Sequence, residues 1–156
     1  MKGIEELLAE HRFFEGLQPD WLKIIAGCAS NVHFDAGQTL LREGAPADRF
    51  FAIREGSVAV ELHAPDRGPI VIQTLGTGEI LGWSWLFPPH VWKFDARARD
   101  GVRATAFDGA CLRKKCDADP AMGYEIMKRL AKLVSQRLEA TRLQLLDLYA
   151  ADRRTS

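Results

Sequence analysis

The segment 78-GEILGWSWLFPPHVWKFDARARD-100 holds the side chains best suited to binding a small molecule, including three of the four tryptophans. Aromatic walls around a few convergent polar groups are the usual composition of a small-molecule site. The segment therefore predicts a pocket with aromatic walls and several polar groups. The aromatic residues are Trp83, Trp85, Trp92 and Phe94, and the polar ones are Ser84, Lys93, Asp95 and Arg97.

The charged residues after the last of these tryptophans alternate as in a β-strand. In 94-FDARAR-99, a period of two places Asp95, Arg97 and Arg99 on one face. If that face looks into the fold, Arg97 is a partner for an anion. If it looks outward, the three charges form a solvated surface, and the alternation leaves both arrangements open.

No pattern of catalytic or metal-binding residues accompanies this segment. The sequence contains no P-loop, no G-x-S-x-G motif and no paired catalytic carboxylates. The histidines fall on separate predicted elements, so no metal site is expected. We predict a binding or interaction protein rather than an enzyme, with a nucleotide or another small anion as its possible ligand.

The composition is that of one globular domain without a targeting segment. Of the residues, 47% are hydrophobic and 27% are charged, which argues against disorder. The 21 basic side chains balance 21 acidic ones and leave no global footprint for nucleic acid. Glu5, Glu6 and Glu10 stand where a signal peptide needs an apolar run, and no apolar stretch reaches membrane-spanning length.

The three cysteines, Cys28, Cys111 and Cys116, have no metal-ligand spacing, and three cannot all pair within one chain. A reduced, cytoplasmic protein without membrane contact is the simplest interpretation. Cys28 is expected in the core, and Cys111 and Cys116 in or near the last strand.

Apolar runs separated by glycines predict a mainly β fold with flanking helices. Helical spacing predicts one helix over 3–14 and a second with Pro19 in its first turn. Short runs that end at turn residues predict strands, and their regular spacing is typical of an antiparallel barrel or roll. The predicted strands are 32–34, 38–43, 50–55, 57–63, 69–75, 94–99, 102–107 and 110–115.

From Pro120 to Tyr149 the pattern is that of one long amphipathic helix, with Asp119 as its predicted N-cap. The helix could pack back on its own roll, but its apolar seam continues beyond what a roll of this size covers. The seam therefore predicts a homodimer through helix pairing. The seam residues are Met127, Leu130, Val134, Leu138, Thr141, Leu145 and Leu148.

The order of elements and three motifs resemble the cyclic nucleotide-binding domain of Crp/Fnr-type bacterial regulators. The family's opening is matched by 13-FFEGLQPDWLKIIA-26, its core by 36-AGQTLLREGAPADRFFAIREGSVAVE-61, and the start of its phosphate-binding cassette by 74-TLGTGEILGWSWL-86. Glycines coincide with family turn positions that need a positive φ or close approach. These are Gly37, Gly44, Gly56, Gly78 and Gly82.

The resemblance implies one domain over 1–156. Its parts are N-terminal helices in 1–30, a double-stranded, jelly-roll-like β-roll in 31–118 with the cassette at 78–99, and the long helix at 119–150. Family regulators continue with a helix-turn-helix domain, which this sequence lacks, so direct DNA binding is not expected. A separate output protein is a possible partner.

The resemblance also implies an altered site. In the family, a glutamate after the cassette glycine binds the ribose, and an arginine further on neutralises the cyclic phosphate. Here Trp83 follows Gly82. Counting ten residues forward leads to Lys93 at the arginine position, whereas counting back from Pro120 through the last strands leads to Trp92. Thr141 matches the residue of the long helix that contacts the base. Binding of cAMP in the usual mode is therefore not expected.

The tryptophan segment predicts a small-molecule-sensing regulatory domain, with a ligand-free interaction module as the alternative. The site is either repurposed to sense a different ligand, or it is filled by indole rings, each of which buries about 150–250 Å². In the second case the chain is a ligand-free interaction and dimerisation module. A cavity lined by Trp83, Lys93 and Arg97 favours the sensor, whereas buried, packed tryptophans favour the module.

Overall fold

Eight antiparallel strands in two sheets form the body of the structure, a computed structural model that describes residues 2–155. This confirms the predicted β-roll with flanking helices. The strands are β1 Ala29–Phe34, β2 Thr39–Leu41, β3 Arg49–Glu55, β4 Val58–Ala64, β5 Gly68–Leu75, β6 Ile80–Leu81, β7 Asp95–Ala98 and β8 Val102–Asp108. The helices are α1 Ile4–Glu10, α2 Pro19–Ala26, α3 Gly109–Ala118 and α4 Pro120–Thr155, with one-turn 3-10 helices at Arg12–Phe14 and Ser84–Leu86.

The sheets have the strand orders β1-β8-β3-β6 and β2-β7-β4-β5. Tight turns between strands require the predicted glycines, all five of which have a positive φ. The β3–β4 turn shows why, because a Cβ added to Gly56 would lie 2.3 Å from the carbonyl oxygen of Gly101. A side chain at that position would therefore force two loops apart.

A buried histidine attaches the N-terminal helices to the first sheet. The Nε2 of His11 lies 3.1 Å from the carbonyl oxygen of Ile53 in β3, and its Nδ1 accepts the backbone N–H of Phe13 at 3.2 Å. This geometry requires a neutral ring with the proton on Nε2. Burial lowers the pKa of His11 from its ordinary value, with the hydrogen bond to Ile53 opposing the shift and the charge of Arg12 adding to it.

The strand predicted over 110–115 is wrong, because this segment lies in α3. Asp108 ends β8, and its Oδ1 accepts the backbone N–H of Cys111 at 3.0 Å, as an N-cap does. Leucine, arginine and lysine are good helix formers once such a cap is in place. Cys111 and Cys116 are therefore helical.

The expectation that all cysteines are reduced is also corrected. Cys28 and Cys111 form a disulfide with their Cα atoms 5.7 Å apart. Cys28 is buried, as expected, in the turn between α2 and β1. The bridge joins residues separated by 83 positions, a pairing that spacing alone does not reveal.

The chain divides into two compact units, one up to Ala118 and one from Asp119 onward. The second unit is α4, which begins at the predicted residue. Asp119 is its N-cap, as predicted, since its Oδ1 accepts the backbone N–H of Met122 at 3.1 Å. Within residues 2–155, none of the helices combines the length and apolar character needed to cross a membrane.

Candidate functional site

The cassette begins with β6 and continues through Gly82 into the one-turn helix Ser84–Leu86. Trp83 is the residue before this helix, and its side chain makes no capping hydrogen bond there. Trp83 and Ser84 are both half-buried. The loop therefore has the glycine and the short helix that the resemblance implies, but an indole stands where the resemblance implies a carboxylate.

Trp92 packs directly on the cassette glycine. A Cβ added to Gly82, whose φ is 95°, would lie 2.5 Å from Cη2 and Cζ3 of the indole. Trp92 is only 3% exposed. Its backbone pairs with the β2–β3 loop, since its N–H donates to Ala45 at 3.0 Å and its carbonyl oxygen accepts from Gly44 at 2.8 Å. The ring is thus held over the loop in which family members bind a phosphate.

Trp85 fills the interior next to the cassette. It is 1% exposed and stacks on Phe50 at 4.7 Å between ring centroids, and Phe50 stacks in turn on Phe107 at 4.7 Å. Its carbonyl oxygen accepts a hydrogen bond from the guanidinium of Arg113 in α3. This tryptophan is a core residue that links the cassette to α3.

The charged residues of β7 lie on the face opposite its buried alanines. Ala96 and Ala98 are buried and pair with Val60 and Val58 of β4. Asp95 instead accepts the backbone N–H of Glu43 at 2.7 Å. The alternation predicted from the sequence is present, and it directs alanines rather than charges into the core.

Arg97 is engaged in an ion pair. Its Nη2 lies 2.7 Å from Oε1 of Glu61, whose side chain is 6% exposed, whereas that of Arg97 is 51% exposed. Burying a carboxylate is costly unless it is paired, so Glu61 requires this guanidinium. An anion at Arg97 would have to compete with Glu61.

The residues predicted for the pocket are therefore only partly brought together. Gly82 and Trp92 are in contact, whereas Lys93 is exposed beside them and Asp95 and Arg97 are committed to other partners. Of the two candidates for the family's arginine position, Trp92 rather than Lys93 lies against Gly82.

Thr141 lies in the second unit, where its hydroxyl donates to the carbonyl oxygen of Arg137 at 2.9 Å. Its contact with a base stays a prediction. Of the predicted seam, Leu130 is buried and Met127 is half-buried, while the remaining members are exposed. These exposed residues are Val134, Leu138, Thr141, Leu145 and Leu148.

A pocket beside Trp92 was not predicted from the sequence. It has a volume of about 310 Å³ and lies between β2 and the start of β3, with Trp92 in its wall. Arg42 and Arg49 also line it, and neither guanidinium forms an ion pair with another described residue. Both arginines lie within the core motif at 36–61, to which the sequence analysis assigned no binding role, and only the pairing of distant strands brings them beside Trp92.

No metal centre is formed by the part of the chain that the structure describes, where no group of three or more histidine, cysteine, aspartate or glutamate residues is suitably placed.

A two-sheet roll with a glycine-based cassette, followed by one long helix, defines a regulatory domain of the cyclic nucleotide-binding class. The family model of the cyclic nucleotide-binding domain matches residues 31–119. The chain belongs to this family.

Relatives extend the likeness along most of the chain. The CRP-like cAMP-activated global transcriptional regulator of Mycobacterium tuberculosis is 29% identical over 149 residues, which cover 96% of this chain and 65% of the regulator. This chain thus spans slightly less than two thirds of that relative.

Solved structures show the same fold. A protein from Geobacter metallireducens named for cyclic nucleotide binding superposes with a TM-score of 0.77 at 30% identity, covering 88% of this chain and 99% of that one. A cAMP-binding acyltransferase from Mycobacterium smegmatis gives a TM-score of 0.71 at 29% identity, covering 87% of this chain and 41% of that one.

Proposed function

We propose that this chain is a regulatory domain that does not bind cAMP in the usual mode of its family, because tryptophan packing has replaced the charged anchors of the cassette. The observation that carries the proposal is the contact between the Trp92 ring and Gly82. An indole at this distance packs on the turn in which family members bind the phosphate, which supports a cassette closed to a cyclic nucleotide.

The loss of two charged residues also weakens the binding of a cyclic nucleotide. A charge-assisted hydrogen bond contributes about 1.5–3 kcal/mol. Without the glutamate and the arginine, the site loses about two to four decades of affinity at 1.4 kcal/mol per decade. Lys93 does not replace the arginine, because it is exposed while Trp92 takes the position against Gly82.

The output of the domain is then an interaction through α4. Its second half carries large apolar side chains that are exposed, such as Leu138 at 51%, Leu145 at 53% and Leu148 at 67%. Exposed apolar residues at spacings of three and four suit a second copy of the same helix. The proposal is a homodimer that a separate partner protein recognises, with the filled cassette stabilising the roll.

A second candidate is a sensor for a ligand other than a cyclic nucleotide. The pocket of about 310 Å³ beside Trp92 favours it, because Arg42 and Arg49 supply two guanidinium groups for an anion. A ligand there would touch Trp92 and so reach the cassette.

A melting-temperature titration separates the two candidates. The chain is titrated with cAMP, cGMP, inorganic phosphate and a set of metabolic carboxylates and phosphates. The interaction module predicts no saturable rise with any of them. The sensor predicts a rise with a non-cyclic anion that Arg42→Gln and Arg49→Gln both abolish. A saturable rise with cAMP would overturn the proposal.

A further inference from the structure

The disulfide between Cys28 and Cys111 lies in the wall of a second pocket, which has a volume of about 520 Å³. Cys28 occupies the turn between α2 and β1, and Cys111 lies in the first turn of α3. Asp48, Arg49 and Asp108 contribute the charged groups of the pocket. The disulfide is therefore accessible to a molecule that enters this pocket.

The two cysteine residues differ in exposure. Cys28 is only 7% exposed, whereas Cys111 is half-buried. The rate of thiol–disulfide exchange depends on which sulfur the attacking thiolate can reach. We propose that a small anionic thiol binds in this pocket and exchanges reversibly with the disulfide at the sulfur of Cys111.

The exchange consists of two balanced displacements. The small thiolate bonds to Sγ of Cys111, the bond between the two cysteines breaks, and the Cys28 thiolate that leaves takes up the proton lost by the attacking thiol. A second small thiol then bonds to the sulfur of the first, which releases Cys111 as a thiol. The protein disulfide gains two electrons, and two small thiols become one small disulfide.

Arg49 is the cationic residue in the lining of this pocket and would be the partner of an anionic thiol. It also lines the pocket beside Trp92, and its guanidinium, which lies 5.2 Å from the ring centroid of Phe51, forms no ion pair with any described residue. Asp48 offers a carboxylate to an ammonium group, and one oxygen of Asp108 accepts the backbone N–H of Cys111. A thiol that carries both carboxylate and ammonium groups, as glutathione does, matches this set.

The bridge also has a structural consequence for the cassette. α3 contacts Trp85 through the guanidinium of Arg113, and a Cβ added to Gly109 would lie 2.9 Å from Cβ of Trp85. The disulfide thus connects the end of α2 covalently to the helix that supports the cassette. The exchange makes no use of nucleotide binding, so it is tested independently of the proposed function.

The first experiment uses the full chain with Cys116→Ser, purified without reductant. Alkylation under denaturing, non-reducing conditions is expected to label neither remaining cysteine. The folded protein treated with reduced glutathione is expected to pass through a species one glutathione heavier, with the adduct on Cys111 by peptide mass spectrometry. Oxidised glutathione is expected to restore the disulfide. Labelling of both cysteines before reduction, or a disulfide that resists glutathione until urea unfolds the chain, would overturn the proposal.

The second experiment tests recognition of the anion. Arg49→Gln is expected to slow exchange with glutathione by about two- to fivefold, the effect of one exposed ion pair, and to leave exchange with neutral 2-mercaptoethanol unchanged. Arg49→Lys, which keeps the charge, and Arg42→Gln, which lies outside this pocket, serve as controls and are expected to behave as the parent does. Equal rates for parent and Arg49→Gln with glutathione, or equal slowing with both thiols, contradict binding of an anionic thiol.

Discussion

At the scale of single residues, the cassette is defined by a glycine and the ring packed on it. Gly82 keeps the turn of the family, but Trp92 makes that turn part of the hydrophobic core. Trp85 is likewise a core residue, since its indole stacks on Phe50 and its backbone carbonyl oxygen accepts a hydrogen bond from Arg113 of α3.

If Trp92 is a core residue, its removal should destabilise the roll. Trp92→Ala is expected to lower the free energy of unfolding by about 3–5 kcal/mol, as truncation of a buried large aromatic does. Urea denaturation followed by circular dichroism measures this. Phe87→Ala in the same loop is the control, because Phe87 is 58% exposed and its loss should change stability by no more than about 0.5 kcal/mol. A loss below about 1 kcal/mol for Trp92→Ala would contradict the packed cassette.

The pairing of Arg97 with Glu61 makes a second residue-scale prediction. Arg97→Ala leaves a buried carboxylate without its partner and is expected to cost about 1–3 kcal/mol in denaturant melts. Arg99→Ala, directly after the same strand, is the matched control, because Arg99 is exposed. If the two variants unfold at the same denaturant concentration, Arg97 is not needed by Glu61 and remains available to a ligand.

At the scale of elements, the sequence predicts most of the roll because its signals are local. Turn glycines and short apolar runs identify the strands, and Asp119 identifies the start of α4. These local signals fail where a contact with a residue distant in sequence determines the structure. The residue pattern of 110–115 fits a strand or a helix equally well until Asp108 caps the segment as a helix. The disulfide between Cys111 and Cys28 depends on tertiary contact.

The candidate site was harder to predict for the same reason. Counting along the sequence leaves Trp92 and Lys93 as equal choices for the position of the family's phosphate-binding arginine, since both adjoin the bend before β7. Only the pairing of Trp92 with Ala45 and its contact with Gly82 decide between them. The pocket with Arg42 and Arg49 likewise exists only once the strands are paired.

His11 should make the attachment of α1 to β3 depend on pH. Its pKa is lowered in the folded chain, so the folded state binds fewer protons than the unfolded state below the ordinary value of 6.5. The stability from neutral His11 is therefore complete above about 6.5 and is lost as the pH falls towards the lower folded pKa. His11→Asn keeps an acceptor for Phe13 but does not titrate. The stability difference between parent and variant should shrink from pH 7.5 to pH 5 in urea melts, and a constant difference would contradict this role.

At the scale of the whole molecule, the α4 seam predicts self-association. Leu138→Glu combined with Leu145→Glu places charges in the proposed helix pair, where burying them without partners is costly. Analytical ultracentrifugation is expected to show a dimer for the parent chain and a monomer for the double variant. Lys132→Glu, an exposed charge change outside the seam, should leave the dimer intact. A parent chain that sediments as a monomer at high concentration would exclude helix pairing.

The measurement that tests the central claim most directly is a titration of the intrinsic tryptophan fluorescence with cAMP. Trp83, Trp85 and Trp92 lie within the cassette, so a nucleotide that entered it would change their emission. A cassette filled by Trp92 predicts no saturable change at cAMP concentrations up to about 1 mM, because the loss of two charged anchors removes about two to four decades of affinity. A saturable change at micromolar cAMP would show that Trp92 moves aside for a phosphate and would contradict the account.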